Sequence, residues 1–259
     1  MNMSACADAV TTWHIKNGLL LNPTKTEALV TGTPQQVTKI YQSADIMVTG
    51  ACVPFVNNIR VLGVTIDCEL SFDDLITSVI LAYKIHIGAM RHIRHLLIQD
   101  AENTIACSIV CSRLDYCHTV FNDAMSHNIS RLQRVQNSLA RVVCDAPYRS
   151  SANKLRRSLH WLPIAERIIY KIAMLTFNIQ LHHKRAYLAE LVIDHTPSQS
   201  LRSSMKEILV EPRIKTKIAP QAFRSAAYPI WNNRPVKIRT LTFIDGFHNK
   251  LKAHLFGVA

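Results

Sequence analysis

Three groups of residues in this chain carry side chains that could do chemistry. In Asn22-Pro23-Thr24-Lys25-Thr26-Glu27 a lysine follows a rigid turn, and a cation held there could meet a triphosphate or departing pyrophosphate as negative charge builds during nucleotide transfer. The same pattern also suits an Asx-type turn with a solvated lysine. Asp73 and Asp74 are adjacent carboxylates that could hold Mg²⁺ through oxygen. They open a long amphipathic segment, where acidic residues cap free N–H groups and complement the helix dipole, and that role is the one expected. Cys107, Cys111, Cys117 and His118 are the one cluster resembling a zinc site. Small apolar residues packed in a helix give the same spacing, and no metal site is expected.

A fourth feature is charge. Residues 1–80 hold four Lys/Arg against seven Asp/Glu, whereas residues 81–259 hold twenty-six against eleven. A positive excess of that size suits a polyanion such as nucleic acid, or else a solvated basic surface. The candidates for phosphate contact are Lys84, Arg91, Arg94, Arg131, Arg134 and Arg141. Contacts of that kind are independent of sequence and sensitive to salt. Tyr116, Trp161 and Trp231 could stack on bases, but aromatic residues at helical spacing more often anchor packing.

The elements that must position these residues change character along the chain. A short helix is expected over 7–17, stopped at Asn17-Gly18. Short extended runs are expected at 19–21 and 28–31, and a hairpin at 46–49 and 52–56 across Gly50-Ala51. A further strand is expected over 58–66, with Leu62-Gly63-Val64 inside it as a bulge or a close backbone approach. From Ser71 on, Ile76, Val79, Ile80, Tyr83, Ile87, Met90, Ile93 and Leu97 recur at three- and four-residue spacing, an amphipathic helix signal. Further helices are expected from Asp100 to about Phe121 (burying Ile105, Ile109, Leu114 and Val120) and over 129–144, 153–159, 164–182 and 187–193. A strand at 208–210 and helical stretches near 219–232 and 242–256 are expected to complete the chain.

The 259 residues are 48% hydrophobic, enough for one core or two small ones. No stretch is apolar and long enough to cross a bilayer, and the first ten residues lack a secretory pattern. Seven cysteines, odd in number and without CxxC pairing, suit free thiols in a reducing compartment, and an intracellular protein of nucleus or cytoplasm is expected.

In order along the chain, Leu21–Glu27 and Val61-Leu62-Gly63-Val64-Thr65-Ile66-Asp67 resemble the last two blocks of a reverse-transcriptase palm of the non-LTR (LINE-type) retrotransposon family. Ser112-Arg113-Leu114-Asp115-Tyr116-Cys117, Leu132–Asn137 and Leu159-His160-Trp161-Leu162-Pro163-Ile164 resemble the thumb-like region that follows, and Arg167 and Lys171 continue it. Ser200–Ser204, Ala222–Ala227 with Trp231-Asn232, and Lys250–Phe256 resemble the carboxy-terminal segment of these elements. Arg234 and Pro220-Gln221 depart from the pattern.

The resemblance implies an α+β, predominantly helical fold: a truncated α/β palm remnant (1–72), a helical thumb-like region (73–196) and a basic, mixed carboxy-terminal module (197–259). It makes Lys25 an accessory triphosphate-contacting residue and Leu62, Gly63 and Val64 a primer grip. The family's metal-binding turn is Phe/Tyr-x-Asp-Asp ahead of the Asn-Pro block. Ser71-Phe72-Asp73-Asp74 follows that block and has serine at the aromatic position. The expectation is therefore a fragment of an RNA-directed DNA polymerase, inactive alone and without a cofactor of its own, Mg²⁺ belonging to the intact family. Its expected partner is an RNA template or RNA–DNA hybrid, with no membrane, and association with an intact element protein is compatible with the same resemblance. A residual nucleic-acid-binding protein, an interaction module and a decayed reading frame are the alternatives.

Overall fold

The computed structural model describes residues 3–43, 46–48, 50–116, 126–182, 186–195, 208–213 and 222–257. They form a predominantly helical α+β chain with two small antiparallel sheets, divided into two compact units, Met1–Leu75 and Ile76–Ala259. The domain edge expected at 196–197 lies outside the described residues.

The first unit begins with α1 (Met3–Lys16), which Gly18 ends in the left-handed region at φ +71°. None of the α1 residues is buried, and Trp13 stands 58% exposed. A 3₁₀ turn follows at Pro23–Lys25. The extended run expected at 28–31 is reduced to a single parallel bridge, Ala28 to Phe55, and no strand forms at 19–21. Helix α2 (Pro34–Ser43) was not foreseen, although its start is written in Thr33-Pro34-Gln35-Gln36. Proline occupies the first helical position, and the Gln36 side-chain oxygen accepts from the Thr33 N–H at 3.1 Å, one half of a capping box. The Tyr41 hydroxyl then donates to the Val56 carbonyl at 2.8 Å, and its ring stacks on Phe55.

The first hairpin pairs β1 (Ile46–Val48) with β2 (Ala51–Val53). The strand expected over 58–66 is instead a second hairpin, β3 (Asn58–Val61) and β4 (Val64–Asp67). Leu62 and Gly63 form its two-residue turn with φ +51° and +82°. Positive φ at both positions is the turn whose twist matches the flanking strands. Gly63 is therefore a turn residue and not a bulge, and a Cβ added there would meet open space.

Helix α3 (Asp73–Ile93) opens with Asp73 and Asp74 in its first turn. Ahead of it, the Asp67 carboxylate accepts the N–H groups of Glu69, Ser71 and Phe72 and so turns the chain into the helix. The expected apolar face is buried at Ile76, Ile80, Tyr83, Ile87 and Met90, while Ile93 is exposed.

The second unit continues through α4 (Gln99–Ile105), a π-helical turn (Ala106–Cys111) and α5 (Ser112–Asp115). Asp100 lies in the first turn of α4, and Ile98 stands at the cap. The buried face runs through Glu102, Ala106, Val110 and Cys111, while Ile105 is half-buried and Ile109 is exposed. Leu114 and Val120 lie outside the side chains described. Helix α6 (Ser126–Val143) buries Leu132, Val135, Leu139 and Val142. Its fully buried Gln136 donates to the Leu162 carbonyl at 2.8 Å, and the neighbouring Gln133 oxygen accepts the Ile164 N–H at 2.9 Å. These two amides tie α6 to the turn between α7 (Ala152–Ser158) and α8 (Ile164–His182).

Past α9 (Ala186–Ala189), the strand expected at 208–210 is one antiparallel bridge, Asp194 to Leu209. Helices α10 (Phe223–Asn232) and α12 (Ile244–Leu255) then pack on α8, and α11 (Val236–Arg239) packs on α12. Phe177 of α8 stacks on Phe247 of α12 at 4.1 Å, and Trp231 of α10 lies 5.8 Å from the same ring. Among the described residues no helix is long and apolar enough to cross a membrane. Truncating a fully buried, stacked ring opens a cavity the neighbours cannot refill, so Phe247→Ala is expected to cost about 3–5 kcal/mol in urea unfolding.

Candidate nucleic-acid interface

Helix α3 carries Lys84 and Arg91, α6 carries Arg131, Arg134 and Arg141, and Arg94 opens the 3₁₀ turn (Arg94–Leu96) that follows α3. Arg131 of α6 is half-buried and reaches Thr77 of α3, donating to its Oγ1 at 2.7 Å and to Asn128 Oδ1 at 3.0 Å. One end of α3 is thereby fixed beside the start of α6. Towards the other end, Arg91, Arg94 and Arg141 meet around a cleft of about 320 Å³, with Ser138, Val142, Ala146 and Tyr148. Lys84 and Arg134 are exposed and form no ion pair among the described residues.

The cleft owes its shape to how α6 ends. Asp145 takes the left-handed conformation at φ +48°. Its N–H bonds to the Val142 carbonyl, and the Ala146 N–H bonds to the Arg141 carbonyl. This paired closure satisfies the last carbonyls of the helix and swings the Asp145 carboxylate towards Arg94. The Arg94 guanidinium hydrogen-bonds Asp145 through Nη1, and its Nε lies 3.3 Å from Glu102 Oε1. The hydrogen bond to Arg94 holds the Asp145 carboxyl below its ordinary value, and the same bond raises Arg94. Glu102 is only 2% exposed, and Arg94 is the cation beside it, although neither Arg94 Nε nor Glu102 Oε1 makes a hydrogen bond.

The three arginines therefore differ in kind. The Arg94 charge faces two carboxylates. Arg91 and Arg141 have no carboxylate partner among the described residues. Arg141 is held by the Ser150 carbonyl, 3.3 and 3.4 Å from its Nη2 and Nε, and by the Tyr148 ring, whose centroid lies 5.3 Å from Cζ. Tyr148 is 86% exposed. A guanidinium resting on an aromatic face keeps its outer N–H edge free for a phosphate. Tyr148 was missed in the sequence because one exposed aromatic residue after a helix has no periodicity.

A second polar cleft of about 430 Å³ is lined by His160, Arg167, Tyr170, Lys171, His248 and Lys252, among others. Asp115 Oδ1 accepts from Arg167 Nε at 3.0 Å and Nη2 at 2.6 Å, and Lys171 lies 3.7 Å from Oδ2. Burial lifts the Tyr170 hydroxyl to about 12.

The remaining candidates lie in the first unit. Asn22 Oδ1 accepts from the Thr24 N–H and hydroxyl, which makes the Asx-capped turn and leaves Lys25 exposed. Leu62 is 85% exposed at the hairpin tip, and Val64 is buried. Trp161 and Trp231 are buried anchors, whereas Tyr116 is exposed. Among the described residues no group of His, Cys, Asp and Glu could hold a metal ion, and Cys117 and His118 lie outside them.

Removing Arg94 strands a buried carboxylate, so Arg94→Met is expected to lose about 3 kcal/mol in urea unfolding, while Arg91→Ala stays within about 0.5 kcal/mol. The Arg94–Asp145 contact is a separate, solvent-screened contribution, present above about pH 4 and lost as the pH falls through the lowered folded value of Asp145. No protein-family model matches the chain, and neither a curated protein nor a solved structure is significantly similar to it.

Proposed function

We propose that the chain is the carboxy-terminal part of a non-LTR retrotransposon reverse transcriptase, able to hold nucleic acid but not to polymerise by itself. The family assignment rests on the order of the resembling blocks from Leu21 to Phe256. The Arg91–Arg141–Tyr148 cleft is the observation that favours nucleic acid as the partner. Two arginines without carboxylate partners, one of them fixed by an aromatic face, suit phosphates spaced along a backbone. Arg131 and Arg94 serve this reading by fixing α3 against α6, and Lys84 and Arg134 add charge on the same two helices. An A-form RNA–DNA hybrid, read by backbone and shape, is the proposed ligand.

Lys25 and the Leu62-Gly63-Val64 turn keep their proposed roles as triphosphate contact and primer grip. Phosphoryl transfer needs metal-held charge neutralisation, and these 259 residues contain no Phe/Tyr-x-Asp-Asp turn. That α1 buries none of its residues suits a palm segment that packs on further protein.

The purified chain should bind a labelled RNA–DNA hybrid at low salt in an anisotropy titration, with affinity falling steadily as salt rises. It should give no primer extension with Mg²⁺ and deoxynucleoside triphosphates. Extension by the chain alone, or no hybrid binding at low salt, would contradict the proposal.

A further inference from the structure

The second cleft of the helical unit shares no residue with the Arg91–Arg141–Tyr148 cleft. It lies where α12 packs on α8. Arg167, Lys171 and Met174 follow one another at helical spacing and so share a face of α8, and His248 and Lys252 do the same on α12. The Tyr170 ring meets the His248 ring edge-on, with centroids 5.6 Å apart, and joins the two faces. His160 reaches the cleft from the turn before α8. It stands in the left-handed conformation at φ +56° where α7 closes, and its N–H bonds to the Arg157 carbonyl.

The lining is set for an anion. Asp115 is its one carboxylate, against the three cations Arg167, Lys171 and Lys252. Asp115 holds Arg167 by two donors on one oxygen, at 3.0 and 2.6 Å. Lys171 stands 3.7 Å from the other oxygen, beyond hydrogen-bond distance, with 42% of its side chain exposed. Lys252 has no ion pair among the described residues. Two lysines on packed helices therefore keep donors available to a ligand. The Tyr170 hydroxyl, lifted to about 12 chiefly by burial, stays protonated at neutral pH and can donate as well. Leu162 and Met174 make part of the wall apolar, and a drier wall strengthens each charged contact. Donors approaching from two helices suit a tetrahedral anion better than a planar carboxylate, which takes two donors side by side.

We propose that the cleft between α8 and α12 binds a terminal phosphate, as a phosphomonoester or a diphosphate. Lys171 and Lys252 take the phosphate oxygens from the two helices, and Tyr170 donates a third bond. Arg167, held by Asp115, adds positive charge beside them. An internal phosphodiester carries one negative charge, whereas a terminal phosphate carries close to about two near pH 7. The second lysine answers that second charge. The end of a nucleic-acid strand and a free small phosphate both present this group. The site stands whether or not the arginine cleft holds a hybrid, because the two have no side chain in common.

Calorimetric titration of the full chain with inorganic diphosphate, at low salt and without divalent metal, should show one saturable site. Lys171→Ala and Lys252→Ala should each weaken it about tenfold, as loss of a charge-assisted hydrogen bond does, with the urea midpoint unchanged. Arg91→Ala/Arg141→Ala should leave it intact. In the wild-type chain, diphosphate should slow acetylation of Lys171 and Lys252, read by peptide mass spectrometry, and spare the exposed Lys84. Displacement of diphosphate by a hybrid with a 5′-phosphate, and not by its 5′-hydroxyl counterpart, would support the site and assign it to a strand end. Displacement by neither would support it as a site for a free phosphate. Equal displacement by both hybrids would overturn the proposal. So would equal slowing of acetylation at Lys84, no diphosphate binding, or equal weakening in the lysine and arginine variants.

Discussion

The site depends on one buried carboxylate and the arginine that answers it. Glu102 is almost wholly removed from water on α4, a placement that is costly unless a cation comes with it. Arg94 supplies that cation from just past the end of α3 and is shared with Asp145 at the end of α6. A single guanidinium thus joins the turn after α3, the neighbouring helix α4 and the residue that closes α6. Arg91 and Arg141 are adjacent because Arg94 holds the ends of their helices together, while Arg131 fixes the other end through Thr77. Burying Glu102 constrains the fold, and the cleft is a consequence of that constraint.

Around this joint the second unit is built by α8. One end of this helix meets α6 through the Gln133 and Gln136 amides, and further along it carries Phe177 into the Phe247–Trp231 stack. Buried polar groups with satisfied bonds fix register, which apolar contacts alone leave loose. The basic residues of α3 and α6 are therefore carried on helices packed in register, and a preorganised array of cations loses less freedom on meeting a phosphate backbone.

The long helices were legible because their apolar residues repeat. Ile76 through Met90 and Leu132 through Val142 announce faces that the structure buries. What escaped depends on conformations that carry no period. The buried face of α4 and the π turn runs through Glu102, Ala106 and Val110, one of them a carboxylate, which no spacing of apolar side chains reports. Leu62-Gly63 read as strand because leucine seldom takes positive φ. Helix α2 was signalled by Thr33, Pro34 and Gln36, a pattern made of caps and not of apolar residues. At the site, the arginines could be named from charge, but not which were already spent. Only tertiary placement distinguishes Arg94, committed to Glu102 and Asp145, from Arg91 and Arg141, or sets Tyr148 beneath Arg141.

The central claim is that Arg91 and Arg141 neutralise phosphates while Arg94 maintains the scaffold. The most direct test is the slope of log affinity for an RNA–DNA hybrid against log salt, for the chain and for its Arg91→Ala/Arg141→Ala variant. Each lost phosphate contact should flatten that slope by about 0.9, so the double variant should be shallower by about 2 with unchanged stability. An identical slope in the two proteins would contradict the account.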